Sequence, residues 1–466
     1  MKGMFKKVSA LALSAAMVLT LGACGGSSTA STATTSSAAS SAAASTAAST
    51  AASKAASTAA SSAAASTAAS TATTSDVTLK FQQWWGVELP DGKLQEITDE
   101  FTKETGIKIE LLSNPYADTK TQIAAGAAAG TMADVVGLDG SWVYDFAKQG
   151  SISNLTDLMK TDGYDDTQLS SQIKYEGNTY MIPVVNFAYP MYCNMDILKA
   201  AGIDKAPTTW DEFTADCKTI VASQSGVAGY AIPLSTESPS GIQNNFMSWL
   251  WASGGSMLKD GKPNLTGNQD MIDTVNFVKG LYDNGLMSEG SYSMKEADMV
   301  EEFTNGRVAF MIDSLAHMTT IKKEAPDLNY EFIPVPTKTG FSGKSGMDVA
   351  NWGIGIASNC QHQAEAMKFI EYMMSPEVNA NLAVLANAFP GNSKANPDYS
   401  AADAKFTDAY KIYQNDTAIN EFTGLPTSED LMRSYDEQLQ LYPDGDTKTV
   451  DDMLKAVQDA WTPAFA

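Results

Sequence analysis

From Val77 to Gln149, short apolar runs alternate with helical patterns, and this limits the fold more than any other feature of the chain. Val77 to Gln83 reads as a strand. Gly92 to Thr105 follows as a helix, with Leu94, Ile97 and Phe101 on one face and Gly106 past its end. Ile107 to Leu112 is a second strand, Thr119 to Ala129 a helix of small residues, ADVVGLD a third strand and Ser141 to Gln149 another helix. Strands joined through helices need right-handed crossovers, so a largely parallel α/β sheet is expected. Ligands of such sheets bind beyond the carboxyl ends of the strands. Trp84, Trp85 and Asp139 fall at that edge. Adjacent strand residues point to opposite faces, so one indole is expected to pack inward and the other to face a crevice.

The middle, from Met195 to Gly306, reads as mainly helical. Thr208 or Thr209 caps a helix whose first turn carries Asp211 and Glu212. VAFMID, YEFIPVP and WGIGIAS read as later strands, and long helices close the chain. The length from 76 to 466 suits two lobes with separate cores.

The N-terminus reads as an address. A basic start and an apolar run from Val8 to Leu21 end in Leu21-Gly22-Ala23-Cys24, which matches a bacterial lipobox. Cleavage after residue 23 would leave Cys24 lipidated. Residues 25–75 are almost wholly Ser, Thr and Ala, too poor in large apolar groups to form a core. As a coil of about 50 residues they would span roughly 40 Å, a tether to the membrane. Residues 1–23 are thus expected to be a signal peptide and 24–75 the anchor and tether. The expected place is the extracellular face of the cytoplasmic membrane of a Gram-positive cell.

The formal net charge of −23 argues against nucleic acid or anionic lipid as a partner. Of four cysteines, three lie in the globular part without CxxC spacing, so buried thiols are expected rather than a disulfide framework. No GxSxG, HExxH, P-loop or EF-hand pattern occurs, and His317 and His362 are the only histidines. No catalytic residue, metal or cofactor is expected, and the protein is not expected to be an enzyme.

Several stretches, in order, resemble one family: FTKETGIKIEL, AAGAAAGTMADVVGLDGSWVYDFAKQGSISNLTDL, YEGNTYMIPVVNFAYPMYCNMDILKAAGIDKAPTTWDEF, FTNGRVAFMIDS, and NWGIGIASN followed by EAMKFIEYMMSPEVNANL. They resemble the extracellular solute-binding proteins of ABC importers, in the carbohydrate-binding group that includes maltose-binding protein. The resemblance implies a two-lobed, type II periplasmic-binding-protein-like α/β fold with ligand between the lobes. Carried onto this chain, it implies one lobe of 76–186 plus 312–357 and another of 190–310 plus 358–466, with hinges near Asn186 to Met191 and Phe310 to Ser314. It further implies a monomer that captures a carbohydrate, most simply an oligosaccharide, and delivers it to an ABC permease. A polyamine or other small cationic solute is the alternative ligand, and a surface glycan-active enzyme or adhesin the alternative class.

Sugar hydroxyls favour acids and amides, and sugar C–H faces favour aromatic plates. The candidates are Trp84 and Trp85 after the first strand, with Glu88 and Tyr116 nearby, and Asp139, which also suits the cap ahead of Ser141. Phe187 and Tyr189 mark the first crossing. Trp251 is expected in the cleft and Trp249 in the core, since residues two apart on a helix face apart. Asp313 follows the returning strand, and Asp348, Asn351 and Trp352 precede the last. Trp142 is a weaker candidate. The acid near Phe187 that belongs to the maltose-binding pattern is absent, which speaks against a maltose-type ligand, and so is the GPW-like turn that family members more often show after Asp313.

Overall fold

The computed structural model describes residues 76–442 and 449–465; the leader, Cys24 and the Ser/Thr/Ala segment lie outside the described residues. The first sheet begins with β1 (Thr78–Gln83), β2 (Lys108–Ser113) and β3 (Val135–Leu138), and both β2 and β3 run parallel to β1. All four β3 residues are buried, as in a strand covered on both faces. The helix Lys93–Thr105 buries Leu94, Ile97 and Phe101 and stops at Gly106, whose φ of 77° is one that glycine adopts freely. β4 (Ile173–Tyr175) pairs with β5 (Asn178–Ala188), which leads out of this lobe.

The second sheet is built from β6 (Met191–Asn194), β7 (Ala228–Ala231), β10 (Val308–Ile312) and β11 (Tyr330–Ile333), in the order β11-β6-β10-β7. A small hairpin of β8 (Leu258–Lys259) and β9 (Lys262–Pro263) stands apart from it. Thr209 caps the helix Trp210–Ser223, accepting from the Glu212 amide at 3.3 Å, while Glu212 accepts from the Thr208 amide at 2.8 Å. The chain then returns to the first sheet as β12 (Gly346–Ile356), which inserts antiparallel between β3 and β5. With β13 (Phe389–Pro390), that sheet reads β13-β5-β12-β3-β1-β2, and β14 (Thr417–Ile419) pairs with β12.

The lobe boundaries differ from those implied by the resemblance. Residues 312–333 stay in the second lobe, because β11 pairs with β6 and Leu315, Met318 and Ile321 share a core with Tyr192 and Phe332. The second crossing therefore runs through 334–345, not through Phe310 to Ser314. Residues 358–390 belong to the first lobe. Phe369 packs on Phe81 and Phe101, with ring centroids 5.4 and 5.1 Å apart, and the Asn379 amide donates to the Val184 carbonyl at 2.8 Å. A third crossing follows, through 391–403. Beyond it, the helix Ala404–Asn415 packs on the second lobe. The closing helices Ser428–Leu441 and Val450–Trp461 meet each other there, where the Trp461 indole donates to the Leu431 carbonyl at 2.9 Å.

Candidate functional site

At the end of β1 the chain turns into a short helix, Trp85–Glu88. Gly86 leaves room there for the Ser113 side chain, which a Cβ would crowd. The Gln83 side chain fixes this turn, accepting from the Gly86 amide at 2.8 Å and donating to Ser113 Oγ at 2.7 Å. The two indoles then lie edge to face, 6.5 Å apart, and meet different surroundings. Trp85 is fully buried, edge-on to Phe81 and stacked on Trp352 at 5.4 Å. Trp84 faces a pocket between the lobes, with Tyr116 edge-on at 5.2 Å and Trp142 at 5.5 Å.

The space between its walls, part of it open to solvent, is about 410 Å³. The first lobe lines it with Trp84, Glu88, Tyr116, Asp139 and Phe187, and with Ala350, Asn351 and Trp352 of β12. Tyr189 lies in the first crossing. The second lobe contributes Ser240, Asn244, Glu296, Ser314 and His317. Asn244 donates to the Tyr189 hydroxyl at 3.3 Å, tying that lobe to the crossing. Trp84, Phe187 and Trp352 are all buried, so the lobes meet over the pocket.

Its electrostatics are set by acids. Asp139 Oδ1 accepts from the Ser141 amide at 2.8 Å and from its hydroxyl at 2.6 Å, and burial pushes this carboxyl up. Burial raises Glu88 to about 7, partly opposed by the His317 charge. Glu296, the first residue of the helix Glu296–Thr304, is also raised by burial. His317 Nδ1 lies 2.8 Å from Asp313 Oδ2. Burial alone would lower the imidazole, but the Asp313, Glu296 and Glu88 charges outweigh it and lift the group to about 10. His317 is therefore an imidazolium at neutral pH.

A sequence profile of the bacterial extracellular solute-binding proteins matches residues 86–380, more than half of the chain. The chain belongs to that family. This solute-binding protein is 27% identical over 318 residues to a binding protein of Brucella abortus, covering 66% of this chain and 75% of that one. It is 23% identical over 314 residues to a maltooligosaccharide ABC transporter solute-binding lipoprotein of Streptococcus pneumoniae, covering 65% and 70%. Its fold is shared with an ABC transporter solute-binding protein of Thermotoga lettingae solved with α-D-tagatose. That match has a TM-score of 0.72 at 19% identity and covers 84% of this chain and all of the other.

The solute-binding protein brings Trp84, Glu88, Tyr116, Asp139, Phe187, Tyr189 and Trp352 around one pocket and leaves four expected residues outside it. Trp85 is core. Trp251 is also core, contrary to expectation: the helix Met247–Ala252 is buried all round, and the Trp251 indole donates to Glu421 at 2.9 Å. Asp313 is fully buried behind His317. Asp348 is fully buried in β12, where burial holds its carboxyl well above the usual range. Trp142 lines the adjoining part of the cleft, beside Lys120. Sequence reasoning did not single out Ser240, Asn244, Glu296, Ser314 or Ala350, and it read His317 as an ordinary histidine. The four-residue spacing of Asp313 and His317 was the one available signal, since side chains so spaced can meet in a helical stretch.

Proposed function

We propose that this protein captures a carbohydrate outside the cell and hands it to an ABC permease. One observation carries the reading. Aromatic plates (Trp84, Phe187, Trp352) and hydrogen-bonding acids (Glu88, Asp139, Glu296) converge on one pocket with walls from both lobes. Plates suit sugar C–H faces, and carboxylates suit hydroxyls. The maltooligosaccharide-binding relative and the tagatose-bound neighbour support the same class.

Among the described residues three crossings join the lobes, and closure would be a hinge motion about them. A ligand favours the closed form only by its added affinity for that form, and contact with both lobes supplies it. Cys24 would carry the lipid that holds the chain at the outer face of the cytoplasmic membrane, and the closed form would dock on the permease as a monomer. No ligand contact in this scheme calls for covalent chemistry.

A thermal-shift screen of mono- and oligosaccharides, polyamines and peptides tests the class. Some sugar should raise the melting temperature in a concentration-dependent way, as ligand linkage requires. Stabilisation by peptides or polyamines alone would refute the carbohydrate reading.

A further inference from the structure

Among the described residues, His317 is the one side chain with a cationic form lining the pocket, and it is already bonded to Asp313. Taking that pair as internally neutral leaves three acids: Glu88, Asp139 and Glu296. They come from three elements and from both lobes. Burial raises Glu296, and the Asp313, Glu88 and Asp139 charges raise it further against the lowering by His317. Lys120 approaches Asp139 from the adjoining cleft, but it is bound to Glu429 and also faces Asp145 and Asp430. Arg433 takes Glu429 as well.

A second observation lies behind the wall. Asp313 is fully buried, yet its Oδ1 accepts no hydrogen bond among the described residues. The polar atoms of Glu296, Asp313 and His317 all lie within 4.8 Å of one another. At neutral pH the His317 imidazolium is a donor in that group, so its acceptors are the Glu296 and Asp313 carboxyls. The rings of Trp84, Phe187 and Trp352 add faces that attract a cation.

We propose that the ligand carries a protonated amine: an amino sugar with a free, unacylated nitrogen, held between Glu88 of one lobe and Glu296 of the other. This rests on the carbohydrate reading above. Burial favours the protonated forms of Glu88 and Glu296 when no cation lies between them. An ammonium lets both carboxyls ionise against it once the lobes meet, and so couples recognition to closure.

The test is calorimetric titration of the full-length protein with three probes of equal length, in the presence of a chelator: glucosamine oligomers, their N-acetylated counterparts and glucose oligomers. The free amines should bind at least about tenfold tighter than the acetylated forms. Because Glu88 must ionise against the ammonium, amine binding should release protons and strengthen as pH rises from 5 towards 7. Glu88→Gln and Glu296→Gln should each shrink the amine preference to about threefold or less; if one variant melts without cooperativity, the other carries the test. Neutral sugars binding as well as amines would overturn this inference and leave the carbohydrate reading standing. Failure of every sugar would remove both. An amine preference present only without chelator would mark a metal site instead.

Discussion

Trp84 and Trp85 differ by one position and by their whole environment. Trp85 sits among Phe81 and Trp352 with no exposed surface, so truncation opens a cavity in the first lobe. Trp85→Ala is expected to cost about 3–5 kcal/mol of stability. Trp84 closes one side of the pocket, and its neighbours Tyr116 and Trp142 can relax into the cleft. Trp84→Ala should cost less than half as much stability. It should remove a stacking plate of about 2 kcal/mol, a loss of roughly thirtyfold in affinity. Trp352 stacks on one indole and lines the pocket beside Phe187, so Trp352→Ala should show both losses. Melting curves and titrations of the three variants decide the matter. Equal destabilisation by Trp84→Ala and Trp85→Ala, with unchanged affinity, would make Trp84 packing alone.

At the scale of elements, the first lobe's strands and helices were legible because their apolar periods differ, two against 3.6. The edge carrying Trp84, Trp85 and Asp139 followed from that alternation. The crossings were harder, because 334–345 and 391–403 have neither period, and nothing local says which sheet an extended segment joins. The helix Gln363–Met373 has an apolar face that fits either lobe, and only the distant rings Phe81 and Phe101 decide. Trp251 misled because spacing carries no facing information on a helix buried all round. Glu296 and His317 read as ordinary helix residues until the second lobe folds them towards Glu88. The helix Ser428–Leu441 holds a further acid, Asp436, with no exposed surface and the Gln440 side chain beside it. Burial raises it to about 8 from 3.8. A raised carboxyl keeps its proton when folded, so the folded state is favoured below pH 4 and loses that advantage as pH rises through about 8. Asp436→Asn should therefore melt higher than wild type at pH 8, by the equivalent of about 1–3 kcal/mol. The gap should close towards pH 4. A gap that stays constant with pH would show that Asp436 does not titrate in this range.

For the molecule as a whole, the lobes touch at more than the pocket. Lys120 of the helix Tyr116–Ala129 pairs with Glu429 of Ser428–Leu441, and Arg433 holds Glu429 at 2.9 Å. Opening the cleft breaks the Lys120 pair and keeps the Arg433 one, which lies within a single helix. Both Lys120 and Glu429 retain about a quarter or less of their side-chain surface, so salt screens the pair only in part. A pair of this kind contributes on the order of 1 kcal/mol or less. That is enough to shift an open–closed equilibrium by about fivefold. Glu429→Gln should therefore open the free protein without touching the pocket. Its radius of gyration in solution scattering should exceed that of wild type, and saturating sugar should return both to the same compact value. Apparent affinity should fall by no more than about fivefold, since a less populated competent state weakens binding in proportion. Added salt should weaken wild-type binding and leave the variant less affected. A radius unchanged by saturating ligand in both proteins would mean that the lobes do not move, and that recognition happens in a cleft already closed.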